Sequence, residues 1–204
     1  MKLRPGDPLL AAFHRSIYWD AFSAQHEPLA VWERALAGEL PYTLHVRLEL
    51  DGDAIAAGIV YEHYPASGCG LVTYMVVSPR ARRSGLGRTL LTESTAELYA
   101  AGAPAVFGEV TDPRRSSEPD AWPRLVRNQR WGARVIDARY IQPALGPGLA
   151  RDHDLVLIVL PPVRALAAAT VWAFVRELYA ITEGGLPDPA IVIADPVGLV
   201  ELRH

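Results

Sequence analysis

Arg80, Arg82, Arg83 and Arg88 crowd around Gly85 and Gly87, and no acidic residue interrupts them. The apolar run Tyr74-Met75-Val76-Val77 and then Ser78-Pro79 lead into this stretch, and Leu90-Leu91 follow it. The order is that of a strand, a basic turn and a helix opening on Arg-x-x-Gly-x-Gly. Amides of a first helical turn have no acceptor within the helix, and the helix dipole favours negative charge there. Glycine lets a diphosphate come close to the main chain. The chemistry implied is retention of a phosphorylated ligand. Two common phosphate loops are excluded. A P-loop needs Lys-Ser/Thr after its last glycine, where this chain has Arg88-Thr89. A dinucleotide fingerprint needs glycine or alanine at position 90, which is Leu90.

The surrounding pattern shows what would position this turn. Met1 to Pro5 suits a short edge strand. Leu9, Leu10, Phe13, Ile17 and Phe22 recur at helical spacing from Asp7 or Pro8 onward, and a second helix is expected over about 28–40. Thr43 to Leu50 alternates as a half-buried strand does. Asp51-Gly52-Asp53 turns it into a second strand from Ala54 to Tyr64. After a turn at 65–70, Leu71 to Val77 forms the strand that feeds the arginines. The helix behind them runs to about Ala101 and is stopped by Gly102. Strands are expected over 105–110, 133–140 and 154–160, a short helix over 121–131, and a long helix over 163–183 before a Gly/Pro-punctuated tail.

At 204 residues and half hydrophobic, the chain has the size and composition of one globular domain, or of one domain with an appendage. A net charge of −3 argues against a protein built around a nucleic-acid backbone, so the arginines are a local device for a small anion. Cys69 is the single cysteine; no intrachain disulfide or cysteine-rich zinc site follows from it, and its place between two glycines reads as an inert turn thiol. His14, His26 and His45 have no metal-ligand spacing, so no metal is expected. The amino terminus lacks the apolar core of a signal peptide, and no apolar stretch is long enough to span a bilayer. These features give a cytoplasmic address and no membrane partner.

Val77, Pro79, Arg82, Gly85 and Gly87 fall on Val-x-Pro-x-x-Arg-x-x-Gly-x-Gly/Ala, and this resembles the acetyl-CoA motif of the GNAT acetyltransferase superfamily. The segment Tyr140-Ile141-Gln142-Pro143-Ala144-Leu145 is similar to the Tyr-x-Gln-Pro-x-Leu of one bacterial branch. The resemblance covers about residues 1–160. It implies an α/β (α+β) fold with a mixed, mainly antiparallel sheet, a central splayed pair of parallel strands and flanking helices. Residues 1–160 would form the acyl-CoA-binding domain, with 161–204 a helix and tail packed on it. The resemblance also implies acetyl-CoA as co-substrate. Main chain of Met75, Val76 and Val77 would bond the pantetheine arm, and amides of Arg82, Arg83, Ser84, Gly85, Leu86, Gly87 and Arg88 would hold the pyrophosphate.

The implied reaction moves an acetyl group from a thioester to an amine of a small molecule or peptide. The amine must lose a proton, so a base comes first. Glu109, at the end of the strand after the donor helix, leads. Its alternative role is binding the substrate amine or pairing with Arg114 or Arg115. Glu62 and His63 are rivals that point to opposite faces of their strand. Many members of the superfamily use a tyrosine as general acid four residues before a glycine matching Gly132; here that position is Asn128. An amide can donate a hydrogen bond to the CoA sulfur but cannot supply a proton. Tyr140 or Tyr74 would then be the substitute acid. Asn128 also motivates a second reading, a CoA-binding sensor that has lost catalysis. The stripe Leu166, Val171, Phe174, Val175 and Leu178 offers a core or homodimer contact.

Overall fold

The computed structural model describes residues 1–22, 27–146 and 148–203; His26, and Pro147 at the end of the Tyr140 segment, lie outside the described residues. The chain divides into two compact units, Met1–Pro65 with Gly70–Ala101, and Ala66–Cys69 with the residues from Gly102 onward.

In the first unit, three antiparallel strands form a meander: β1 (Thr43–Asp51), β2 (Ala54–His63) and β3 (Gly70–Val77). The expected edge strand at the amino terminus is reduced to a single bridge between Lys2 and Arg47. Val60 faces Tyr74 while Tyr61 faces Val72, so Thr73 is the extra residue of a β-bulge in β3. The expected first helix is broken. Helix α1 (Pro8–Phe13) passes through a π-turn at His14–Tyr18, where Ser16 leaves helical geometry, into α2 (Trp19–Phe22). The second helix, α3 (Leu29–Leu36), stops short of Leu40.

The break lets Phe13, Tyr18 and Trp32 gather as fully buried rings, with Tyr18 4.5 Å from Trp32 and 5.0 Å from Tyr74. Burying each such ring is worth roughly 1.5–3 kcal/mol. Gly58 on β2 is the close approach beneath them, since a Cβ there would lie 2.4 Å from the Phe13 ring. Helix α4 (Leu86–Ala100) lays Leu90, Leu91 and Leu98 on the sheet. Its Glu97 ties it down, accepting from Arg47 Nη2 of β1 at 2.5 Å, from Tyr61 Oη of β2 at 3.0 Å, and from Lys2.

In the second unit the strands run in the order β4 (Val106–Thr111), β7 (Leu155–Val159), β5 (Arg134–Ile136), β9 (Leu199–Val200), each antiparallel to the next, with α5 (Ala121–Arg130) between β4 and β5 in sequence. The strand expected over 133–140 divides at Asp137, whose N–H is drawn to Gly198 O at 2.8 Å. Its second half, β6 (Ala138–Arg139), pairs instead with β8 (Val192–Ile193) of the tail. The last helix, α6 (Ala168–Glu183), begins five residues later than expected, after Pro161-Pro162 and an extended Ala167. It packs Phe174 on Phe107 of β4, with ring centroids 4.6 Å apart. No described helix is long and apolar enough to cross a membrane.

Candidate functional site

The basic turn of the first unit is a sequence of tight backbone steps. Ser78 N–H is held by Ala56 O at 2.8 Å, which fixes the end of β3 against β2. Pro79–Ala81 make one 3-10 turn, Arg82 is extended, and Arg83 at φ 68° and Gly85 at φ 91° are left-handed. The Ser84 hydroxyl donates to Ala81 O at 2.6 Å and pins the turn from inside. The φ of Gly85 is one that side chains with a Cβ rarely adopt. The outer face is open there: a Cβ on Gly85 would meet nothing within 4 Å. The first bond of α4 runs from Thr89 N–H to Gly85 O at 3.1 Å. The amides of Gly87 and Arg88 precede it and lack helical acceptors, while Leu86 N–H donates to Ser84 Oγ at 3.4 Å. Arg80, Arg82, Arg83 and Arg88 are all exposed, and among the described residues none of them forms an ion pair. Met75, Val76 and Val77, paired to Ile59, Gly58 and Ala57, are half-buried. The arrangement can hold an anion by main-chain donors and fixed positive charge.

Glu62, in the same unit, is buried opposite Leu44 and Leu71. It accepts from the Tyr64 hydroxyl at 2.6 Å, and the Tyr64 ring stacks on Tyr42. Tyr74 lies in the aromatic cluster around Tyr18, and burial drives its hydroxyl far above the usual phenol range. His14 Nε2 donates to Glu27 O at 2.7 Å. His45 sits against Tyr61, and burial lowers its pKa to about 4. Among the described residues, no three His, Cys, Asp or Glu side chains come together as a metal would require.

Glu109 sits on β4 in the second unit, opposite Leu157 of β7. It keeps some accessible area, but its carboxylate is enclosed by protein. Tyr140 Oη donates to Oε1, and Gln142 Nε2 donates to Oε2 at 2.6 Å. Burial raises its pKa above that of an ordinary glutamate; the two hydrogen bonds oppose that shift and Asp152 adds to it. Burial raises the Tyr140 hydroxyl well above the phenol value, and the neighbouring charge of Glu109 and the hydrogen bond to it push it up further. The two arginines weighed as partners go elsewhere. Arg114 forks onto Asp112, at 2.9 and 2.8 Å, and Arg115 approaches Asp154 at 3.7 Å.

Asn128 is buried on α5, and its Nδ2 donates to Arg124 O at 3.0 Å, one turn back in the same helix. Cys69 is buried, and desolvation lifts its thiol to about 11, so it is no ready nucleophile. Gln142 is the residue that sequence reasoning passed over. It stands in the quoted Tyr-x-Gln-Pro segment, but its amide had no assigned work.

No relative of this chain was found among the curated proteins compared. Among solved structures, the chain is similar to a protein from Bacteroides thetaiotaomicron assigned to the GNAT family, with a TM-score of 0.65 at 19% identity over 91% of this chain and 98% of that one. A GNAT-family protein from Desulfovibrio desulfuricans matches with a TM-score of 0.54 at 20% identity, over 78% and 97%. The ribosomal-protein-S18-alanine N-acetyltransferase of Escherichia coli gives 0.54 at 16%, over 82% and 97%. At these identities the likenesses speak for the fold, a mixed and mainly antiparallel sheet with flanking helices. The sequence profile of the Acetyltransferase (GNAT) family matches residues 12–119, just over half of the chain, and the whole basic turn lies inside that match. With that turn, this fold and this match, the chain belongs to the GNAT acetyltransferase family, enzymes of acetyl transfer that use acetyl-CoA as donor.

Proposed function

We propose that the chain is an acetyl-CoA-dependent N-acetyltransferase that passes the acetyl group directly to an amine of a small molecule or peptide. The observation that carries the donor half is the exposed turn from Arg82 to Arg88, with Gly85 in the left-handed region and arginines that have no described ion pairs. The diphosphate of the donor would rest on the amides of Gly85, Leu86, Gly87 and Arg88, with Arg82, Arg83 and Ser84 around it. The pantetheine would run along the main chain of Met75 to Val77. Donor binding of this kind depends on backbone geometry, so it is set by the φ values of the turn.

In the reaction, the amine lone pair attacks the thioester carbonyl and a tetrahedral oxyanion forms. Its collapse expels the CoA thiolate, and the proton carried by the amine passes to a base. Glu109 suits that role, since burial raises its pKa and makes the carboxylate a better proton acceptor. The thiolate is a good leaving group without help, so the reaction tolerates an asparagine at position 128. No acyl-enzyme is needed, and the buried Cys69 thiol is unsuited to form one.

The engaged amide of Asn128 also favours a second reading, a CoA-binding protein with little or no turnover. Two measurements separate the readings. Calorimetric titration with CoA and thiol release from acetyl-CoA over a panel of polyamines, aminoglycosides, amino acids and peptides should show binding together with acceptor-dependent release. The E. coli relative by fold acts on a ribosomal protein's alanine, so alanine-terminated peptides belong in that panel. Binding with no release from any acceptor would leave the sensor; absence of CoA binding would sink both.

A further inference from the structure

The segment 140–144 is tied at nearly every residue, and two of its anchors come from α6 near the far end of the chain. The Tyr140 hydroxyl and the Gln142 amide reach Glu109. Ile141 O accepts from Tyr179 Oη of α6 at 2.9 Å. The backbone of Gln142 exchanges two hydrogen bonds with Asp152, at 2.9 and 3.1 Å. Ala144 N–H donates to Glu183 Oε1 at 2.8 Å. Tyr179 and Glu183 are four residues apart and therefore share one face of α6. Arg151 closes the circuit: it forks onto Glu183 at 2.9 and 2.6 Å, reaches Asp188 at 2.6 Å, and lies 5.1 Å from the centre of the Tyr179 ring.

We infer that α6, through Tyr179 and Glu183 and with Arg151 clamped onto both, holds the segment 140–144 so that Tyr140 and Gln142 orient the carboxylate of Glu109. Tyr140 and Gln142 are then positioning residues, and the carboxy-terminal region outside the family match is part of the machinery. The inference rests on the reading of Glu109 as the base. Its physical ground is the cost of burial. A tyrosine hydroxyl, a glutamine amide and a carboxylate in one enclosed place are expensive unless each is satisfied, and an apolar filling would be cheaper for stability alone. Here the satisfied set leaves each carboxylate oxygen one further lone pair for an incoming proton.

The groups that bear on Glu109 are few. Tyr140 and Asp152 carry the titratable neighbours, and β7 presents Leu157. Of the three arginines on α5, Arg124 is spent on Thr111, Glu118 and Asp120, and Arg127 and Arg130 stand in the last turn of the helix. Donors to a carboxylate favour its charged form, so loss of one raises the pKa. Gln142→Leu should move the titration of Glu109 up by about one unit, the worth of one hydrogen bond to a charged group. Tyr179→Phe touches Glu109 nowhere, yet it should move the same titration up by a few tenths of a unit.

The test is a carbon-13 NMR titration of the Glu109 carboxyl in the full chain, beside the acid limb of kcat/KM. The expected result is an upward shift in Gln142→Leu and a smaller one in Tyr179→Phe, with the acid limb following both. An unmoved titration in Tyr179→Phe, even with a lowered melting temperature, would overturn the brace and leave packing alone. If Tyr179→Phe does not fold, Glu183→Gln takes its place and is judged by the same shift. The reading of Glu109 as base fails separately: undiminished turnover in Glu109→Gln would end it, while the brace would still stand or fall on the titration.

Discussion

The donor turn and the Glu109 cluster solve opposite problems. The turn from Arg82 to Arg88 exposes main chain to solvent together with arginines that form no ion pair among the described residues. The cluster in the second unit encloses a carboxylate and fills its contacts with Tyr140 and Gln142. In the proposed function, one region would receive a ligand's charge and the other would accept a proton. Binding can therefore be built from backbone dihedral angles, whereas proton transfer needs particular side chains brought together from distant parts of the chain.

The largest expected effect tests the turn. Gly85→Glu places a Cβ at φ 91° and an acid among the arginines, so CoA binding should vanish in calorimetry. An acid at a helix amino terminus is favourable to the dipole, which offsets part of the backbone strain and leaves the fold in place by circular dichroism. Unchanged CoA affinity would break the assignment of the turn. Next comes Glu109→Gln, which should lower kcat by about 10²–10⁴-fold while leaving CoA affinity unchanged. If both parameters move together, the two regions are not separate in function. Smaller still, Arg82→Ala and Arg83→Ala should each weaken CoA binding about two- to fivefold. That loss should shrink with added salt, since these guanidinium groups are exposed. A salt-independent loss would mean that the arginines shape the turn instead of attracting the diphosphate.

The same contrast explains what the sequence made legible. The donor turn is local: Val77, Pro79, Arg82, Gly85 and Gly87 lie within one strand–turn–helix, and spacing alone carries the pattern. The meander of β1 to β3 was legible for a similar reason, through alternation and an Asp-Gly-Asp turn. Glu109 could be singled out by its place at a strand end, but its partners lie 31 and 33 residues away, and no periodicity links them. Arg114 was the nearer guess for a partner, and Asp112, two residues before it, captures it first. The broken first helix was hidden too. Its apolar spacing is helical throughout, and packing of Tyr18 against Trp32 and Tyr74 accompanies the π-turn. At Asp137, competition from Gly198 in the tail divides a strand that looked continuous.

The smallest effect sharpens the comparison through the sign of its pH dependence. Glu97 is a partly exposed glutamate and Glu109 an enclosed one, and they are shifted in opposite directions. Burial pushes Glu97 up, but hydrogen bonds from Lys2, Arg47 and Tyr61 outweigh it and bring the pKa down to about 2. A carboxylate whose folded pKa is depressed stabilises the fold above its unfolded value, and that contribution is lost as pH falls through the folded one. The deficit in melting temperature of Glu97→Gln should thus be constant from neutral pH to about 4.5 and close as pH falls further. Glu109 binds its proton more tightly in the folded protein, so its charge counts against the fold at neutral pH and the opposition fades on acidification. Glu109→Gln should accordingly gain on the wild type as pH rises. Melting curves of the two variants from pH 3.5 to 8 would then diverge from the wild type with opposite slopes. Parallel curves would mean that Glu109 is no more than another surface-like carboxylate, and the proposal that its burial prepares it as a base would lose its footing.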